Sequence, residues 1–164
     1  MLHRRTTGIA LAGAALFAPT LARAQGASDL RMQAITASTA SLNSARLGAQ
    51  RAQNPMVRQF AALEAEEQMA AMEAMQLAGI TMPAQVSMRD DTARMMASVQ
   101  AAQGTEFDRA FLAMQKAGHE DLLRIHSQVK ASGATEAERI IGTMAVPAIK
   151  SHLATIEMLM AARG

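Results

Sequence analysis

Apolar and polar positions follow a helical period over most of the chain. In the stretch FAALEAEEQMAAMEAM and just before it, Val57, Phe60, Ala61, Glu64, Gln68, Ala71, Met72 and Met75 recur at spacings of three and four. That repeat brings side chains to one face of a helix, so an acid, Glu64, stands in the middle of an otherwise apolar stripe. A first helix is expected from about Ser28 to Gln53, with Leu30, Ala34, Ile35, Ala37, Leu42, Ala45 and Ala49 inward. Ser38, Thr39, Ser41, Asn43 and Ser44 within it are mediocre helix formers, so packing rather than propensity must hold this segment. Asn54-Pro55 opens the second helix, because Asn caps and Pro fits the first helical position. Gly79 ends it after about Ala78, with Pro83 beyond.

A shorter amphipathic segment from about Ser87 to Gln103, carrying Met88, Met95, Met96 and Val99, reads as a helix within a crossover that Gly104 terminates. Thr105 and the acids after it suggest the start of the next helix, whose stripe is Phe107, Phe111, Met114, Gly118, Leu122, Ile125 and Val129 and whose end lies near Ser132-Gly133. Thr135-Glu136-Ala137-Glu138 forms a capping box for the last helix. Its inward residues are Ile141, Ala145, Ala148, His152, Ile156 and Leu159, and Pro147 predicts a bend between about Thr143 and Ala148.

These elements, with Tyr, Trp and Cys absent from the sequence and β-branched runs rare, predict an all-α fold. Four long helices with a short extra helix in the crossover between the second and third give a ferritin-like four-helix bundle. The alternative is an up-down bundle with the extra helix packed outside.

The N-terminus changes the picture of charge and compartment. His3-Arg4-Arg5, an apolar run from Gly8 to Ala18 and Ala22-Arg23-Ala24 have the three parts of a secretory signal peptide, too short to span a membrane. Cleavage is expected after Ala24, giving a signal peptide over residues 1–24 and a domain over 25–164, exported to the periplasm. Thr6, Thr7 and Gly8 after the arginine pair favour the general secretory route over twin-arginine export. The leader holds three of the 16 Lys and Arg and none of the 14 acids, so the remainder is near neutral. Without a basic cluster or stacking aromatics, nucleic acid is excluded as a partner. Absence of Cys excludes disulfides and a lipidated cysteine, and no later apolar run reaches the length of a membrane span.

The order NPMVRQFAALEAEEQ, GITMP, FDRAFLAMQKAGHEDLL, VPAIKSHL resembles the bacterial exported family labelled "predicted outer membrane protein", a ferritin-like domain of unknown function. The resemblance runs from about Asp29 to Ala161. Its most specific parts are FDRAF with His119 eleven residues after Asp108, and Pro147 with His152. It implies the fold and export but no activity. Where many members resemble a pattern ending in Asp-His, this chain has Glu67-Gln68, and it lacks the alternating strands a barrel needs.

Several groups are candidates for chemistry. Di-iron bundles need two E-x-x-H pairs; here Glu64-x-x-Glu67 is the nearest match, and neither Glu120 nor Glu157 has a His three residues on. His119 and His126, seven apart on one helix side, could with His152 offer imidazoles toward Glu64 and Glu67 for a single transition metal. Met69, Met72 and Met75 offer thioethers suited to copper(I), against a packing role in the core. A buried polar network joining Glu64 to His119 or His152 is the simplest expectation, because a carboxylate among apolar residues needs a partner. No nucleophile motif supports an enzyme. The leading expectation is an exported bundle without a catalytic site or cofactor, structural or stress-related, that binds a protein partner or itself; the alternative is a bundle that binds copper or another transition metal.

Overall fold

The computed structural model describes residues 18–162, with side chains from residue 25 onward. The expected signal segment therefore lies mostly outside the described residues. Five helices are present among them: α1 (Ala18–Arg51), α2 (Pro55–Leu77), α3 (Asp90–Ala101), α4 (Gly104–Ser132) and α5 (Glu136–Ala161). The fold is the ferritin-like plan: α1 and α2 form one antiparallel hairpin, α4 and α5 a second, and α3 lies in the crossover against α4 and α1. Around the bundle α1 touches α2 and α4, and α5 touches α4 and α2.

The signals at the helix ends act as chemistry dictates. Asn54 Oδ1 accepts from the Met56 and Val57 amides at 2.8 and 3.4 Å, with Pro55 behind it. Gly79, at φ +77°, closes α2. Its amide donates to the Gln76 carbonyl, and the Ile80 amide donates to Met75. Ile80 then packs on Met75, which completes the reversal. At α5 both bonds of the Thr135/Glu138 capping box form.

Three expectations are corrected. α1 begins at Ala18, well before Ser28, passing through the expected cleavage point. Gly104, at φ +61°, is the first residue of α4 rather than a stop for α3; the cap position is Gln103, and no Thr105 side-chain cap forms. On α4 the fully buried position is His119, while Gly118 is only half buried. α5 continues through Pro147.

The interior has apolar ends and a polar middle. Toward the α1–α2 turn, Val57, Phe60, Ala61, Phe107, Phe111, Leu112, Ile156 and Leu159 form the main cluster. Toward the other end, Ala34 packs with Ile125 and Val129, and Ile35 with Met75 and Ile80. Between these ends lie Ser41, Glu64, Gln115 and His119, all buried.

Candidate metal centre

Each long helix supplies part of this polar layer. Ser41 comes from α1, Glu64 and Gln68 from α2, Gln115 and His119 from α4, and His152 from α5. Glu64 is 1% exposed and His119 0%. Removing a carboxylate and an imidazole from water so completely is costly unless both are partnered.

The partners divide cleanly by atom. Glu64 Oε1 accepts from Ser41 Oγ at 2.8 Å and from Gln68 Nε2 at 3.0 Å. Glu64 Oε2 faces the two rings, 3.0 Å from His152 Nδ1 and 3.3 Å from His119 Nε2. The two ring nitrogens are 3.3 Å apart. The far edge of each ring is also held: His119 Nδ1 lies 2.8 Å from the Gln115 carbonyl oxygen, and His152 Nε2 lies 3.1 Å from Glu67 Oε2.

Those partners assign the protons. A carbonyl oxygen only accepts, so His119 carries a proton on Nδ1 and presents Nε2 to the interior. His152, with a carboxylate at each nitrogen, is held as an imidazolium whose Nδ1–H points at Glu64. Its pKa is pushed up to about 10 by the hydrogen bonds to Glu64 and then to Glu67, against burial, which lowers it. Burial raises the Glu64 carboxyl, but the contacts with His119, His152 and Ser41 outweigh it and hold that group well below the usual carboxylate range.

The same arrangement can hold a metal ion. Glu64, His119 and His152 each offer one ligand atom, and the three atoms are 3.0 to 3.3 Å apart. Bonds of about 2.0 to 2.1 Å at tetrahedral or right angles place ligand atoms about 3 to 3.4 Å apart. Histidines that bind metals donate their outward N–H to a carboxylate or backbone carbonyl. His119 and His152 do one each. Because Ser41 and Gln68 occupy Glu64 Oε1, the carboxylate has one oxygen left to offer.

Of the other candidates, Glu67 touches the outer edge of His152 and is half exposed. His126 is two turns along α4 from His119, buried, with Nδ1 unpartnered among the described residues. Burial lowers its pKa. It lines a small cavity with Arg31, Glu138 and Ile141 and is outside the three-residue cluster. The methionines of M-x-x-M-x-x-M separate: Met69 is exposed and its sulfur takes a hydrogen bond from Arg46, Met72 packs on Leu42 and Ala65, and Met75 packs on Ile35 and Ile80. Ser41 and Gln115 complete the polar layer, although nothing in the sequence pattern marks either as a site residue. The pattern carries only a polar residue recurring at helical spacing along an inward face, as with Ser38, Ser41 and Ser44, all buried.

A family model described as a domain of unknown function, DUF4142, matches residues 12–159, and the chain belongs to that family. No curated protein and no solved structure matches it.

Proposed function

For a DUF4142 chain with this centre, we propose that the protein binds one divalent first-row transition ion through Glu64 Oε2, His119 Nε2 and His152 Nδ1, and does so in the periplasm. The single observation that carries the reading is the paired anchoring of the rings. Both inward nitrogens converge on one carboxylate oxygen while both outward N–H groups are held by acceptors. Two imidazoles and a carboxylate suit zinc, copper(II) and iron(II). Three single-atom protein ligands leave coordination positions for water or a further molecule. Dinuclear iron chemistry has no support, because both E-x-x-H pairs are missing and Glu64, His119 and His152 form the only such cluster among the described residues.

This favours the metal-binding reading over a purely structural bundle. The apo site remains self-consistent, with the His152 proton in place of the ion, so the proton and the metal are alternative occupants of one position. Protein stripped with chelator, incubated with Zn²⁺ and desalted should retain one ion per chain by elemental analysis. Glu64→Gln and His119→Ala should each lose it, and a triple Met69→Leu, Met72→Leu, Met75→Leu variant should keep it. Absence of retained ion in the wild type, or full retention in both single variants, overturns the assignment.

A further inference from the structure

Of the glycines within the helices, Gly48, Gly118 and Gly142 differ in what surrounds them. A Cβ on Gly48 would lie 2.7 Å from atoms of Ala61 and Phe111, and one on Gly142 would lie 2.7 Å from the Lys130 amide nitrogen. Those positions need glycine because helices meet there. Gly118, in the middle of α4, meets nothing within 4 Å. Glycine inside a helix is less stable than alanine, and no close approach accounts for it here.

The space above Gly118 belongs to a cleft of about 410 Å³ between α1, the start of α3 and α4, within the size range of small-molecule sites. Its floor includes Ser41 and Gln115. The Ser41 hydroxyl proton is directed inward, to Glu64 Oε1 at 2.8 Å and Gln115 Oε1 at 3.2 Å. The Gln115 amide protons go to Ser44 Oγ at 2.8 Å and the Ser41 carbonyl at 3.4 Å. The donors of the floor are therefore used within the protein, and oxygen lone pairs remain for a guest. At the rim stand Asp29, Asp91 and Asp121 with one cation, Arg89. Arg89 bridges Asp91 and Asp121 at 3.1 and 2.7 Å, Arg124 also pairs with Asp121 at 2.7 Å, and Asp29, which has no ion pair among the described residues, is the acid left to a guest. Met32, Met95 and Met114 supply apolar wall.

A floor that accepts hydrogen bonds, an acidic rim and apolar walls select a donor cation with an aliphatic body. The geometry points to a binding site for a small aliphatic amine in its ammonium form, seated over Gly118. The cleft shares Ser41 and Gln115 with the metal centre but does not require the ion, so its test uses metal-free protein and stands apart from the metal reading.

Calorimetric titration of chelator-treated protein with hexylamine, hexanoate and 1-hexanol at neutral pH decides it. Hexylamine should bind at least tenfold more tightly than either of the others. Asp29→Asn, at an exposed position, should weaken the amine several-fold and leave hexanol unchanged. Gly118→Leu fills open space and should fold normally by circular dichroism, with amine affinity reduced at least tenfold. Hexanoate binding as tightly as hexylamine, no amine binding at millimolar concentration, or full amine affinity in Gly118→Leu overturns the proposal.

Discussion

If a proton and a metal ion compete for His152 Nδ1, raising the pH should tighten metal binding. The two carboxylates beside His152 push its pKa to about 10 from 6.5. Near pH 7 the ring is therefore protonated, and the ion must displace a proton held some three units above the solution pH. Full expression of that shift would weaken binding about a thousandfold; the edge of His152 is 20% exposed, and screening there reduces the penalty to on the order of a hundred- to a thousandfold. From pH 7 to 9 the apparent affinity for Zn²⁺, measured against a chromophoric chelator, should rise about tenfold per unit. Calorimetry in buffers of different ionisation enthalpy should count one proton released per ion. The metal-free protein should show the opposite trend. A group whose pKa is raised on folding stabilises the fold fully below its unfolded value, near 6.5, and loses that contribution as pH climbs through about 10. Glu64, whose pKa is lowered on folding, contributes above its ordinary value and loses that contribution as pH falls. Apo stability should thus decline from pH 7 to 10 while the increment from metal grows. Affinity independent of pH over this range, with no proton release, would show that His152 is not a ligand and would refute the competition.

Other perturbations separate packing from chemistry. In metal-free protein, Glu64→Met or His152→Leu alone should cost about 3 to 5 kcal/mol by urea unfolding, and the double variant much less than the sum; additive losses would mean the pair is not coupled. Gly118→Ala should stabilise by about 0.5 to 1 kcal/mol, whereas Gly142→Ala should destabilise by about 1 to 3 kcal/mol, because its Cβ would also come within 3.0 Å of the His126 carbonyl. Glu138 caps α5 and pairs with Arg31 at 2.6 Å. Glu138→Ala should therefore lower stability by about 2 kcal/mol and Arg31→Ala by less than half of that, since the cap survives.

The fold was legible in the sequence because its strongest signals are local. Asn54-Pro55, Gly79 and Thr135 through Glu138 fix three helix ends by short-range hydrogen bonds that need no tertiary context. Glu64 could be picked out because it interrupts an apolar stripe, and His119 and His152 because imidazoles are rare. Gly104 misled because a positive φ serves a helix start as well as an end. The expected apolar stripe of α4 runs through Gly118, one residue and about a third of a turn from the fully buried His119, a difference that periodicity alone resolves poorly. Ser41 and Gln115 stayed invisible because a buried serine and a surface serine read alike until the partner across the bundle is known.

The three residues of the proposed metal site are far apart along the chain. Glu64 and His119 are separated by 55 residues and His119 and His152 by 33. One ligand belongs to the first hairpin and two to the second, so no short piece of the chain offers the set to an ion. An E-x-x-H pair, by contrast, can seize metal from a single helical turn. If the chain is exported as proposed, threaded across a membrane in extended form, it would travel without an assembled site. It would acquire one only after the two hairpins had docked, so the ion supply that matters would be that of the compartment in which folding finishes.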